Sequence, residues 1–156
     1  MRAMEISASG LDVEWRRLEV IAQNLAHAGS TRGVDGGPYR PMRLVSGTRP
    51  SFADLAAGAP TGPLSMGQLR AGRGDGDALS GVSVLGLEPI GAEPRRVLEP
   101  GHPDADAQGY VSYPGFDHAA EMTLMVKTAR IYEANLVALN IGRQMYSKAM
   151  DLGKRS

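Results

Sequence analysis

The chain has 156 residues, enough for one domain of ordinary size or for a helical body with one small inserted module. Its 17 basic and 17 acidic residues cancel with no block of like charge, which argues against nucleic acid as a partner. Without cysteine it has no disulfide scaffold or thiolate metal site, and without a run of about 18 apolar residues or a cleavable signal it is expected to have no transmembrane segment and to use some other route if exported.

All ten prolines lie between Pro38 and Pro114, and seventeen of the twenty glycines lie between Gly29 and Gly115. The two ends are therefore free to be helical. From the N-terminus, Met4, Ala8, Leu11, Trp15, Leu18, Ala22 and Leu25 keep an unbroken four-three spacing, which predicts a helix over 1–28 that stops at Gly29. A narrower second stripe, Ile6, Val13 and Val20, is rotated from the first by roughly 200°.

Residues 29–46 read as an extended segment, and 47–80, rich in Gly, Ala, Pro and Ser, as a flexible linker. Within that linker Gly72-Arg73-Gly74-Asp75-Gly76-Asp77 is not a calcium loop, because the bidentate Glu such a loop needs at its twelfth position falls on Gly86. Residues 81–116 form a small β module: Val82 to Ile90, Arg96 to Leu98 and Tyr110 to Tyr113 are strand candidates, expected to make one three-stranded sheet. Between the last two lies the loop Gly101-His102-Pro103-Asp104-Ala105-Asp106. Its His102, Asp104 and Asp106 could be read as metal ligands, but with no second donor cluster the reading as a rigid turn with carboxylates bonded to backbone N–H groups is preferred.

Asp117 can cap a second long helix over 117–156, ending near Gly153 and about 50 Å long. This helix carries two apolar stripes. One is Met122, Met125, Ala129, Tyr132, Leu136, Leu139, Arg143, Tyr146 and Met150; the other is Leu124, Thr128, Ile131, Asn135, Ala138, Gly142, Met145, Ala149 and Leu152. Asn135 and Arg143 interrupt them, either fixing register or, for Arg143, reaching solvent.

The fold expected is mainly α, an antiparallel, coiled-coil-like pair of terminal helices with a Pro/Gly-rich insertion carrying a short β-sheet at one end of the pair. Met4 would then fall beside Arg143 and Leu25 beside Met122, leaving Gln144 to Leu152 beyond the partner helix. A helix pair alone cannot cover two apolar sides on each helix. Each large aliphatic side chain left wet forgoes about 1.5 to 3 kcal/mol, so further subunits are expected to cover the remainder.

Three stretches carry a resemblance. ISASGLDVEWRRLEVIAQNLAHAGSTR with GGPYRP after it, EPGHPDADAQGYVSYP, and ARIYEANLVALNIGRQMYSKAMDLG are similar, in that order, to the bacterial flagellar rod and hook axial proteins, and the middle one to the proximal rod proteins of the basal body. The resemblance implies a structural subunit without enzymatic activity or cofactor, exported unfolded through the flagellar type III apparatus and assembled in the periplasm. Its partners would be other rod proteins, copies of itself and the surrounding basal-body rings, and its terminal helices would polymerise into a tubular shaft around the export channel. The residues expected at subunit contacts are Leu11, Trp15, Leu18, Leu25, Met122, Ile131, Asn135, Leu139, Met145 and Leu152, with His102, Asp104 and Asp106 as a loop contact. Two other classes compete: a soluble coiled-coil adaptor or export chaperone forming a discrete complex, and a small metal-dependent hydrolase centred on His102, Asp104 and Asp106.

Overall fold

The computed structural model describes residues 2–33, 36–49, 81–91 and 93–153. Along them run α1 (Arg2–Ala26), β1 (Met42–Thr48), β2 (Val82–Pro89), β3 (Arg95–Leu98), β4 (Tyr110–Tyr113) and α2 (His118–Gly153). Both helices are free of proline. At the end of α1 the amides of His27 and Ala28 bond to the carbonyls of Gln23 and Leu25, tightening the last turn before Gly29. Asp117 caps α2: its Oδ1 accepts from the amide of Ala119 at 2.9 Å and its carbonyl accepts from Glu121 at 3.0 Å. The mainly helical architecture with a small β module is the one expected. Of the Gly47 to Ser80 linker, including the Gly72 to Asp77 stretch, residues 50–80 lie outside the described residues.

The chain clusters into two units, one from Met1–Arg16, Val45–Gly86 and Ala129–Ser156, the other from Arg17–Leu44 and Leu87–Thr128. In the first, the helices run antiparallel. A Cβ placed on Gly10 would lie 3.0 Å from Asn135 Nδ2, and one on Gly142 would lie 3.0 Å from Met4 Cγ. The Trp15 and Tyr132 rings are 6.2 Å apart. Met4 thus lands one residue from its expected neighbour, Arg143. Glycine is used at both crossings because the facing side chain occupies the space a Cβ would need.

The β strands depart from expectation in two ways. First, β2 starts on the flank of α1: the Ser9 hydroxyl donates to Ile6 O at 2.8 Å and accepts the Val82 amide at 3.0 Å. The middle of the chain is therefore not confined to one end of the helix pair, because a buried helical hydroxyl offers an acceptor that a strand's first N–H can use. Second, there is no three-stranded sheet among the described residues but two separate pairs, β1 with β2 and β3 with β4. Bonds from Arg49 N to Gly81 O and from Ile90 N to Pro41 O bracket the first pair and make it antiparallel. Met42–Thr48, of which 42–46 read as merely extended and Gly47 and Thr48 as the start of the linker, supplies the partner that β2 lacked.

In the second unit Val20, Ile21, Leu44 and Val111 are buried apolar side chains, joined by the buried Pro41 and Pro114. β3 and β4 pair with Arg95 opposite Tyr113 and Leu98 opposite Tyr110, which sets Val97 across from the fully buried Val111. Just after β4, a Cβ on Gly115 would sit 1.7 Å from the carbonyl oxygen of Glu93, so no other residue fits.

Candidate subunit interface

The covered line of α2 is not an apolar stripe. Glu121 and Thr128 are buried, and Tyr132, Asn135, Leu139 and Gly142 are half-buried. Glu121, Thr128, Asn135 and Gly142 recur every seven residues, so polar and small groups fill one side of the seam. This line runs between the two stripes read from the sequence and takes members from each. The apolar remainder on both flanks stays open: Met122, Val126, Ile131, Leu136, Val137, Ile141, Met145, Tyr146, Met150 and Leu152 are all exposed, Met145 by 64% and Leu152 by 72%. Gln144 to Gly153 are exposed without exception.

On α1 the narrower stripe is the covered one, with Val13 and Val20 buried and Ile6 half-buried. Of the broader stripe, Met4, Leu11, Leu18 and Leu25 are half-buried, Ala8 and Ala22 are exposed, and Trp15 is 55% exposed beside Tyr132. The ten residues expected at contacts therefore divide. Trp15, Met122, Ile131, Met145 and Leu152 present open surface, whereas Leu11, Leu18, Leu25, Asn135 and Leu139 are partly used within the chain. Asn135 packs on Gly10, which suits a register role, while Arg143 is exposed.

The His102 to Asp106 loop is organised around its carboxylates. Asp104 accepts from the Thr31 hydroxyl at 2.8 Å on one oxygen and lies 3.1 Å from the Arg32 guanidinium on the other. Its own amide donates to His102 Nδ1 at 3.1 Å. Asp106 Oδ1 accepts from the amides of Gln108 and Tyr110 at 2.9 and 2.8 Å, and Oδ2 pairs with Arg96. The Tyr110 amide chiefly, with Gln108 and Arg96 adding to it, holds the Asp106 carboxyl below its usual 3.8. Tyr113 donates to Glu99 Oε2 at 2.9 Å, which raises its phenol above 10.0. The three ligand candidates thus face different protein partners, and among the described residues no three His, Asp or Glu side chains are grouped to hold a metal ion. Each carboxylate does local structural work instead.

Two residues that the sequence reading passed over turn out to matter. Asn24, 1% exposed, donates from Nδ2 to Met42 O at 2.8 Å and accepts the Met42 amide at 3.0 Å and the Tyr39 hydroxyl at 3.1 Å. Tyr39 in turn stacks on His27 at 4.7 Å. An Asn in line with the apolar stripe of Val13 and Val20 was the available signal, since a buried Asn must find partners. Ser9 gave only its position beside Gly10. No helix among the described residues is long and apolar enough to cross a membrane.

With this geometry in view, comparison with known proteins is specific. Residues 107–152 match a family model described as flagellar basal body rod FlgEFG protein C-terminal. A flagellar basal-body rod protein FlgC of Salmonella typhimurium is 34% identical over 154 residues, 99% of this chain and 98% of that one. Proteins of the same name from Bacillus subtilis and Borreliella burgdorferi are 32% and 30% identical, over 97% and 95% of this chain and 97% and 93% of their own lengths. The chain therefore belongs to the FlgC family of flagellar basal-body rod proteins.

Proposed function

We infer that the chain is a structural subunit of the bacterial flagellar basal-body rod, built to be covered by neighbours along its two terminal helices. The observation that carries this is the open apolar surface of α2, where eleven large side chains from Met122 to Leu152 are exposed. Each contributes about 1.5 to 3 kcal/mol when fully covered. Polymerisation through these flanks gives a tube whose close-packed contacts are stiff, so torque passes along it without chemistry. The terminal segments 1–28 and 117–156 act as the axial helices around the export channel, while the 81–116 module, with His102, Asp104 and Asp106 in its loop, meets adjacent rod proteins or the encircling rings. Residues 29–46 tie the first helix to that module. In this reading the subunit reaches the periplasmic part of the basal body through the flagellar type III apparatus and acts without catalysis or cofactor.

A soluble adaptor or export chaperone is disfavoured, because the relatives named as rod proteins match along nearly the whole chain. The test is to isolate basal bodies from a motile strain producing the epitope-tagged chain. Recovery of the tag in the rod is expected; a tag found only as a discrete soluble complex, with basal bodies lacking it, would overturn the reading.

A further inference from the structure

We propose, building on the rod reading, that α2 carries an oxidation site of four methionines, Met122, Met125, Met145 and Met150. Hydrogen peroxide oxidises them while the chain is free, and the sulfoxides then keep that copy out of the rod. The four side chains are 53%, 38%, 64% and 50% exposed. They stand in two pairs near the two ends of the helix, with no methionine from Val126 to Gln144. The other two methionines among the described residues, Met4 and Met42, are half-buried, and each has a reason to react slowly. A Cβ on Gly142 would lie 3.0 Å from Met4 Cγ and 3.7 Å from its Sδ, so this side chain packs against α2. Met42 is fastened through its N–H and C=O to the buried Asn24.

The chemistry needs only the thioether and the peroxide. The sulfur lone pair attacks one peroxide oxygen, the O–O bond breaks and an S–O bond forms; sulfur is oxidised by two electrons, the peroxide is reduced, and water leaves. Access of the oxidant to sulfur sets the order in which the side chains react. Oxidation turns a flexible apolar side chain into a polar one. On the open surface of the free chain the new oxygen stays hydrated, so the fold is kept. Under a neighbouring subunit the same oxygen would be stripped of water with no donor arranged for it, which is costly. Covering also shuts the peroxide out, so sensitivity ends once the copy is incorporated. Methionine sulfoxide reductases restore the thioether, which makes the block reversible.

The first test treats the purified full chain with dilute hydrogen peroxide and maps the sites by peptide mass spectrometry. The four α2 methionines should each gain one oxygen before Met4 and Met42 do, with the helical circular dichroism unchanged; equal or faster reaction at Met4 and Met42 overturns the site. The second test places Met122→Gln, Met125→Gln, Met145→Gln and Met150→Gln together in a tagged chain, the amide standing in for the polar sulfoxide. Its recovery in basal bodies should fall about tenfold or more, the scale of one buried apolar side chain lost. The matching set of four Met→Leu changes should be recovered like the parent. A third test, independent of how the Gln variant folds, gives cells a peroxide pulse before assembly: the parent should be lost from new basal bodies and the Leu variant retained. Undiminished recovery of a folded Gln variant, or equal loss of parent and Leu variant after the pulse, overturns the block and leaves the rod assignment standing. Absence of the untreated parent from basal bodies overturns the rod assignment and the block with it, while the mapped oxidation sites stand.

Discussion

Asn24 and Met42 exchange hydrogen bonds in both directions, the side-chain amide of one reading the backbone of the other as a neighbouring strand would. The pair fastens the last turn of α1 to the first residue of β1. Replacing Asn24 with Ala leaves the Met42 N–H and C=O short of partners in a covered site. At about 1 to 3 kcal/mol for each orphaned group, chemical denaturation of Asn24→Ala should show a loss of about 2 to 4 kcal/mol. A loss within error of zero would mean that water replaces the amide at no cost.

Three glycines should rank by what a methyl group would strike. Gly115→Ala meets the Glu93 carbonyl at 1.7 Å and Gly81→Ala meets Ser9 Oγ at 2.3 Å, whereas Gly101 has nothing within 4 Å. Overpacking costs about 1 to 3 kcal/mol where neighbours can shift and more where backbone blocks the way. The midpoints of denaturation should therefore fall in the order Gly115→Ala lowest, Gly81→Ala next, and Gly101→Ala nearest the parent. Any other order contradicts the packing described.

Acid should loosen the loop before β4. Asp106 is held below its usual value by the Tyr110 amide first, then by Gln108 and Arg96, so its charged form is favoured in the folded chain. A lowered carboxyl contributes stability that is fully present above its unfolded value near 3.8 and is lost as pH falls through that value toward the folded one. Melting temperatures measured from pH 6 to 3 should drop more steeply below about pH 4 for the parent than for Asp106→Asn. Parallel curves would remove Asp106 from the account.

Asp104 has two partners of unequal weight. The Thr31 hydroxyl bond is partly buried, while the Arg32 side chain is 69% exposed. Hydrogen bonds to a charged group are worth about 1.5 to 3 kcal/mol, against about 0 to 1 kcal/mol for a solvent-exposed ion pair. Double-mutant cycles should give a larger coupling for Thr31 with Asp104 than for Arg32 with Asp104. The reverse order would show that the charge, not the hydroxyl, holds the loop.

Met145→Ser and Leu152→Ser should separate assembly from folding. Both side chains are largely open, so the free chain should change by no more than about 0.5 kcal/mol, as surface substitutions do. Motility and recovery of the chain in basal bodies should fall sharply. If both variants swim as well as the parent, these flanks are not where neighbours bind.

The helices were legible because their signals are local, the proline-free ends and Asp117 before α2, and matching the two at equal rise put Met4 beside Arg143, one residue from the Gly142 it meets. The strands were legible as strands but not in their pairing. Met42–Thr48 alternates weakly, and its partner lies beyond a long intervening stretch, so nothing nearby announced it. The Asp104 contact with Thr31 joins positions 73 residues apart, which no periodicity encodes. On α2 the two stripes were visible, yet the sequence could not say that the seam would follow the polar and small members of the second, Thr128, Asn135 and Gly142, with Tyr132 and Leu139 of the first. Apolar pattern marks where burial is wanted, not which partner provides it.

That choice of seam has a mechanical corollary. A helix that turns Thr128, Asn135 and Gly142 inward and leaves Val137 and Ile141 bare stores little cohesion in the single molecule. A lone copy should therefore be easy to unravel by pulling and to draw through a narrow conduit. Its toughness would be a collective property, acquired only once adjoining copies lock around it.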